Sequence, residues 1–182
     1  MRIIAGIHRS RILKTLDGNN TRPMMDRMKE SVFNTIGPYF EGGTSLDLFG
    51  GSGALSLEAI SRGINKAYIS EISRDAVAVI KSNISSLKEE DKVVLLNMDY
   101  KIAINKLKGM KFNLVFLDPP YKMNIVNELI DTLLENDMLE EDAFVVCHYV
   151  KGNANIDNKL KCIKNYAHDI HELAIYQNIK LD

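Results

Sequence analysis

From Thr44 onward, short apolar runs alternate with segments whose apolar residues recur every three or four positions. The short runs predict buried strands over residues 44–49, 66–71, 92–97, 112–117 and 143–149. The segments between them predict helices, one with Ser73 as its N-cap, and two of their stripes are Val77, Ile80, Ile84 and Leu87, and Ile125, Leu129, Ile130, Leu133 and Leu134. This alternation is typical of an α/β fold in which helices cover both faces of a parallel sheet.

Both ends of the chain depart from this alternation. Residues 159–166 and 171–179 predict two strands without an intervening helix, and therefore an antiparallel hairpin at one edge of the sheet. Near the N-terminus, residues 2–5 and 11–14 predict two short strands, followed by a helical stripe made of Met25, Met28, Val32, Phe33 and Ile36. We therefore predict a single domain over residues 1–182, with an appendage over 1–40 and a core over 41–182.

Length and composition agree with one soluble domain. The 182 residues are 46% hydrophobic and 26% charged, and no apolar run approaches the length that spans a bilayer. No signal peptide is visible, so we expect a cytoplasmic protein. Cys147 and Cys162 are too few and too far apart for a metal or redox motif, and the four histidines lack metal-ligand spacing. We expect two thiols, no metal and a monomer.

The net charge of −1 hides an asymmetry along the chain. Residues 1–30 hold seven Arg or Lys and three Asp or Glu, a net charge of +4, which leaves −5 for residues 31–182. A basic terminal segment on an acidic body indicates a polyanionic partner that binds at one face. A solvated surface would give the same count, so the charge alone does not decide.

The segment Asp118-Pro119-Pro120-Tyr121 directly follows the apolar run at 112–117. Proline cannot donate to a sheet ladder, so the two prolines should end the strand and leave rigid carbonyls. A carboxylate, a carbonyl and an aromatic ring then meet at the carboxyl end of a strand, where open α/β sheets bind ligands. These groups suit a planar amine, since oxygens accept its N–H groups and the ring stacks on its face. On Asp118 alone, an ordinary turn is the favoured interpretation.

A glycine-rich turn, Asp47-Leu48-Phe49-Gly50-Gly51-Ser52-Gly53, leads from the first strand of the alternation into the next helix. Glycines there let a ligand approach the backbone and expose the amides of a helix N-terminus. A nicotinamide fingerprint would need glycine where Ser56 stands, and Asp47 would repel a pyrophosphate. The pattern instead fits S-adenosylmethionine, which carries an ammonium and a sulfonium.

Acidic residues follow the next two predicted strands. Glu71 lies where an acidic side chain binds ribose hydroxyls, and Asp99 is placed to contact an adenine amine. Each feature also has an ordinary explanation: a solvated carboxylate for Glu71, a helix N-cap for Asp99 and a structural turn for the glycines. The conjunction of four features, each after its own strand, favours a methyltransferase.

These residues resemble the bacterial 16S rRNA guanine-N2 methyltransferases of the RsmD type, and the resemblance spans nearly the whole chain. The glycine turn and Asp-Pro-Pro-Tyr belong to many amino-methyltransferases, whereas Thr21-Arg22-Pro23 is more specific to this family. The resemblance is carried by residues 1–6, 20–23, 26–27, 29–34, 46–55, 58–59, 61–63 and 118–121.

The resemblance implies a Rossmann-like class I methyltransferase with a seven-stranded, mostly parallel sheet and a reversed C-terminal hairpin. It implies S-adenosylmethionine as cofactor and, as substrate, the exocyclic amine of a guanine in 16S rRNA of the small ribosomal subunit. The implied catalytic residues are Asp118, Pro119, Pro120 and Tyr121. The implied cofactor-binding residues are Asp47, Phe49, Gly50, Gly51, Gly53, Glu71, Ile72, Asp99, Tyr100 and Asp118. Candidates for RNA phosphate contacts are Arg9, Arg11, Lys14, Arg22 and Arg27, although each is as readily a solvated surface charge.

The chain departs from the family pattern in three places. Gly50 stands where the family usually has alanine. The fifth strand ends in Cys147-His148-Tyr149-Val150, where a glutamate is expected. The last hairpin, with His168-Asp169-Ile170-His171-Glu172, lacks the basic, glycine-containing turn of the family.

Other functions stay open from the sequence. A DNA adenine-N6 methyltransferase uses the same four-residue motif, but 182 residues leave little room for its target-recognition domain. Protein glutamine methyltransferases resemble Asn-Pro-Pro-Tyr, with a neutral amide first. A non-catalytic RNA-binding assembly factor is a further alternative, although intact Asp118 and Tyr121 argue against it.

Overall fold

The computed structural model describes residues 1–16 and 26–181. The chain divides into two compact units, Met1–Ala103 and Ile104–Asp182. The first unit holds α1 (Asp26–Ile36), β1 (Thr44–Asp47), α2 (Ala54–Ser61), β2 (Lys66–Ser70), α3 (Arg74–Leu87), a 3₁₀ turn (Glu90–Lys92) and β3 (Val93–Leu96). The division falls within α4 (Tyr100–Leu107).

In the first unit, β1, β2 and β3 pair in parallel, with Leu46 opposite Tyr68 and Ile69 opposite Leu95. Helix α3 begins where predicted, because the Ser73 hydroxyl accepts a hydrogen bond from the Ala76 amide at 3.3 Å. Ile80, Ile84 and Leu87 of the predicted α3 stripe pack into a buried cluster that also contains Leu57 and Ile60 of α2 and Ile69 of β2.

The predicted N-terminal hairpin is present but shorter than expected: the Ile3 amide donates to the Arg11 carbonyl and the Leu13 amide to the Met1 carbonyl, both at 2.9 Å, in an antiparallel arrangement. Between residues 1 and 16, the structure has one isolated bridge, Arg2 with Ile12, and no strand. Side chains from helices take the amides that a partner strand would use: Glu58 accepts from Ile4 and Ala5, at 3.0 and 3.3 Å. Similarly, the Asn83 side chain accepts from the Lys14 amide at 2.8 Å. The first residues are therefore anchored to α2 and α3 through side chains.

A buried ionic cluster completes this anchor. The Glu58 carboxylate, fully buried, lies 3.0 Å from Nε of Arg62 and 3.5 Å from Nζ of Lys29. Lys29 also donates to the Arg2 carbonyl at 2.6 Å. Burial lowers the pKa of Lys29, and the Glu58 carboxylate opposes that shift. Helix α1, helix α2 and the first residues of the chain are thus joined by one set of charges.

The second unit contains β4 (Phe112–Leu117), a 3₁₀ turn (Tyr121–Met123), α5 (Val126–Glu135), β5 (Leu139–Val150), β6 (Lys161–His168) and β7 (His171–Gln177). Strands β4 and β5 are parallel, whereas β5, β7 and β6 pair in antiparallel fashion. Strand β5 begins four residues before its predicted start. Its first part bulges, since Phe112 pairs with Leu139 and Leu114 with Phe144, and Asp142 has a φ of +63°.

Over the described residues, seven strands form one sheet in the order β3-β2-β1-β4-β5-β7-β6. The predicted mostly parallel sheet with a reversed C-terminal hairpin is confirmed. Cys147 is buried, Cys162 is exposed and both are free thiols. In the described ranges, no helix is long and apolar enough to cross a membrane.

Candidate active site

The glycine turn of the first unit leaves open backbone at Gly51. Gly51 and Gly53 have φ values of +59° and +79°, a region that favours glycine. A Cβ at Gly51 would meet no atom of the described chain within 4 Å, whereas one at Gly50 would lie 2.4 Å from Cγ2 of Ile69. The turn is therefore closed on the Gly50 side and open at Gly51, as a ligand cradle requires.

Glu71 ties the glycine turn to the end of β2. Its Oε1 accepts a hydrogen bond from the Gly51 amide and its Oε2 one from the Ser73 amide, both at 2.9 Å. A carboxylate has about four acceptor positions, so these two bonds leave capacity for hydroxyl groups. The carboxylate is thus fixed beside Gly51.

The other two predicted acids of this unit also bond to backbone amides. Asp47, 2% exposed, accepts from the Phe49 amide at 3.0 Å. Asp99 accepts from the Lys101 amide at 2.8 Å, and it therefore caps α4, as the ordinary explanation held. The Phe49 and Tyr100 rings lie 5.2 Å apart between centroids, and Ile72 is 67% exposed. A buried carboxylate, an open glycine and an exposed apolar side chain fit a cationic nucleoside ligand.

In the second unit, β4 ends at Leu117 and the Asp-Pro-Pro-Tyr segment leads into the 3₁₀ turn that begins at Tyr121. The Oδ1 of Asp118 lies 3.1 Å from Nδ1 of His148, at the end of β5. A small pocket adjoins this point, lined by residues 119–121, 124–126, 148–150 and Asn153. The abrupt end of the strand, predicted from the prolines, is confirmed.

The Tyr121 ring packs against two histidines. It stacks on His171 with centroids 4.0 Å apart and meets His148 edge to face at 5.4 Å. Partial burial raises the pKa of Tyr121, and the nearby Asp118 charge raises it further. The phenol therefore stays protonated over the physiological range.

Sequence reasoning did not place the two histidines in the site. The available signal was their departure from the family pattern, at the end of the fifth strand and in the last turn. The antiparallel register of β5 and β7, in which Val150 pairs with His171, brings both side chains to Asp118 and Tyr121. No group of three or more potential metal ligands occurs in the part of the chain that the structure describes.

The predicted RNA contacts differ in their surroundings. Arg9, Lys14 and Arg27 are exposed. The Arg11 guanidinium donates from Nη2 to the Ser86 carbonyl at 2.6 Å, so it also fixes the N-terminal segment to α3. Arg22 lies outside the described residues.

The strand order and the reversed C-terminal hairpin define the Rossmann-like fold of S-adenosylmethionine-dependent methyltransferases, which confirms the predicted fold class. The solved structure of yhhF from Escherichia coli, a proposed methyltransferase, matches with a TM-score of 0.85 and 29% identity, and the match covers 100% of this chain and 99% of that one.

The sequence comparisons give the family. The profile of the family described as "Conserved hypothetical protein 95" matches residues 1–177. YlbH of Bacillus subtilis, a proposed rRNA methyltransferase, is 40% identical over 151 residues, 82% of either chain. Ribosomal RNA small subunit methyltransferase D of Haemophilus influenzae is 32% identical over 181 residues, 98% of this chain and 94% of that one. The chain belongs to the family described as "Conserved hypothetical protein 95". The resemblance to the RsmD-type methyltransferases that was seen in the sequence is confirmed.

Proposed function

We propose that this protein transfers a methyl group from S-adenosylmethionine to the exocyclic N2 amine of a guanine in 16S rRNA of the small ribosomal subunit. The observation that carries the proposal is the Asp118 carboxylate at the end of β4, fixed by His148 and followed by the Tyr121 ring. Membership of a family that contains an rRNA small subunit methyltransferase supports the RNA substrate.

The proposed cofactor site lies in the first unit. Gly51 offers open backbone, Glu71 offers acceptors for ribose hydroxyls, and Asp47 offers a buried negative charge for a cationic methionine part. Exposed Ile72 offers an apolar face for an adenine, and Asp99 an acceptor for its amine. The bound cofactor would supply a methyl group activated by its attachment to a positive sulfur.

The proposed role of Asp118 is to activate a weak nucleophile. The lone pair of a guanine exocyclic amine is delocalised into the ring. By accepting the two N–H groups, the Asp118 carboxylate and the Pro119 carbonyl draw the nitrogen toward a tetrahedral shape and localise its lone pair. As the methyl group would leave the positive sulfur for the nitrogen, positive charge would build on that nitrogen, and the Asp118 carboxylate would stabilise it. The methylated amine would then lose one proton to solvent. Holding the methyl donor and the amine in line can supply about 7–11 kcal/mol of the barrier.

Tyr121 is the proposed platform for the target base. Base–aromatic stacking contributes about 1–3 kcal/mol. Extrusion of a base costs roughly a few kcal/mol, and less when the base is already unpaired, so a loop nucleotide is the preferred target.

The substrate class is tested by methyl transfer to three acceptors: small subunits that lack guanine-N2 methylation, naked 16S rRNA and duplex DNA. We expect label in the subunits or the rRNA, and none in DNA. Label in DNA alone would support the adenine-N6 alternative. Cofactor binding without label in any acceptor would support the non-catalytic alternative.

Gly51→Ala should weaken binding of S-adenosylmethionine by tenfold or more, a change of about 1.4 kcal/mol or above. The added Cβ would enter the open space at the glycine turn and strain its positive φ. Isothermal titration calorimetry measures the affinity.

Gly109→Ala is the matched control, because Gly109 also has a positive φ and open surroundings, and it follows α4. Both substitutions should destabilise the fold by about 1–2 kcal/mol. Equal affinities in the two variants would contradict the cofactor site.

Arg9→Ala and Lys14→Ala should each weaken RNA binding and each reduce the slope of log K against log salt by about one. Both side chains are exposed on the basic N-terminal segment, where phosphate contacts would release counterions. Binding curves between about 50 and 200 mM salt give the slope. Lys108→Ala, which removes an exposed charge elsewhere, should leave the slope unchanged; a salt-independent affinity of the wild type would refute phosphate contacts altogether.

A further inference from the structure

The Asp118 carboxylate has a hydrogen-bond partner on the neighbouring strand. In the parallel register of β4 and β5, Leu117 pairs with Cys147, so His148 follows at the level of Asp118. Its Nδ1 lies 3.1 Å from Oδ1 of Asp118. The His148 side chain is 19% exposed and that of Asp118 is 40% exposed. A packed ring therefore holds a carboxylate that still reaches solvent.

The chemistry of the pair fixes the position of one proton. An ionised carboxylate only accepts hydrogen bonds, so the contact requires a proton on Nδ1 of His148. The Tyr121 hydroxyl is 3.5 Å from the same nitrogen, a longer contact than that to Asp118. Nδ1–H therefore donates to Asp118 Oδ1 and sets the orientation of the carboxylate plane.

The three aromatic rings leave one face of Tyr121 uncovered by histidine. Centroid separations are 4.0 Å for Tyr121–His171, 5.4 Å for Tyr121–His148 and 5.6 Å for His148–His171. If His148 lay over the face of Tyr121 opposite to His171, the two histidine rings would be much farther apart than 5.6 Å. His148 therefore lies at the edge of the Tyr121 ring, beside the Tyr121–His171 stack. Tyr121 is 41% exposed. His171 backs one face of the Tyr121 ring, and neither histidine lies over the other face.

We propose that His148 is a positioning residue, which donates from Nδ1 to Asp118 and holds that carboxylate in the orientation that accepts the target amine. The inference rests on the proposed function of Asp118, and His148 acts through Asp118 without touching the substrate. A histidine at this position differs chemically from the residue that the family pattern predicts. The glutamate expected there from the family pattern would bring a second negative charge to Asp118, whereas the histidine brings a donor.

The kinetic test compares His148→Asn with His148→Leu. An asparagine amide presents an N–H donor near the position of Nδ1, and leucine fills similar space without a donor. We expect His148→Leu to lower kcat by about 10–100-fold, the size of effect produced by small misplacement of a reacting group. The KM for RNA should stay close to the wild-type value, because the stack of Tyr121 on His171 remains. His148→Asn should recover most of the kcat.

His168→Leu is the matched control, since His168 lies on β6 with a largely exposed side chain, 63%. It should retain wild-type kcat and KM. Wild-type kcat in His148→Leu would overturn the inference, as would equal losses in His148→Asn and His148→Leu accompanied by a raised KM.

A second readout does not depend on activity. Where the ¹⁵N chemical shifts of His148 report a neutral ring, NMR should show its proton on Nδ1. In Asp118→Ala the proton should move toward Nε2, and in Asp157→Ala, an exposed carboxylate elsewhere in the unit, it should not. An unchanged tautomer in Asp118→Ala would overturn the inference. If the wild type methylates no RNA while the tautomer shifts as expected, the proposed function fails and the His148–Asp118 pair stands.

Discussion

Asp118→Ala is expected to lower kcat for methyl transfer by about 10²–10³-fold or more, the cost of removing one group that stabilises developing charge. Asp118 would lose its bonds to the target amine, and His148 would lose its acceptor at 3.1 Å. The affinity for S-adenosylmethionine should fall far less than kcat, because Asp118 is one of ten proposed cofactor contacts and the other nine, from Asp47 to Tyr100, lie in the other unit. Single-turnover kinetics with labelled cofactor measure the chemical step, and calorimetry measures binding.

Asp157→Ala serves as the control for Asp118, because it removes an exposed carboxylate of the same unit. It should leave both kcat and cofactor affinity at the wild-type values. If Asp118→Ala retains more than about a tenth of the wild-type kcat, its activation free energy has risen by less than about 1.4 kcal/mol. That result would contradict a role of Asp118 in the chemical step.

Glu58→Ala should lower the free energy of unfolding by about 3–5 kcal/mol, the cost of breaking a buried ion pair on one side. The substitution would leave Lys29 and Arg62 buried beside an empty site and would free the amides of Ile4 and Ala5. Urea unfolding followed by circular dichroism gives the change. Because Glu58 holds the first residues of the chain, their amides should also exchange faster with solvent.

The control for Glu58 is Glu30→Ala, which removes an exposed carboxylate from α1. Surface substitutions of this kind stay within about 0.5 kcal/mol. If Glu58→Ala lowers the free energy of unfolding by less than about 1 kcal/mol, its effect is close to that of a surface substitution. That result would show that the buried charges do not stabilise the N-terminal segment.

The elements that the sequence predicted well are those whose signal is local. The run before Asp118 is apolar and ends in two prolines, and β4 has the predicted bounds, Phe112–Leu117. Ser73 caps α3 as expected, because capping needs only a hydroxyl three residues before an amide. The order of strands and helices followed from the alternation of short apolar runs with segments whose apolar residues recur every three or four positions.

The features that were missed depend on residues far apart in the chain. Residues 2–5 have a strand-like pattern, but Glu58 takes the amides of Ile4 and Ala5 in place of a partner strand. The first part of β5 is polar and bulged, so its pattern resembles a loop. The contact between Asp118 and His148 spans thirty residues and follows only from the register of β4 and β5.

The identity of the methylated atom gives the most direct test of the proposed reaction. Small subunits that lack guanine-N2 methylation would be incubated with labelled S-adenosylmethionine, and their 16S rRNA digested to nucleosides. Chromatography and mass spectrometry would then identify the labelled nucleoside. We predict N2-methylguanosine from a single position, absent when Asp118→Ala replaces the wild type. Label in N6-methyladenosine, or on a guanine atom other than N2, would contradict the proposed reaction.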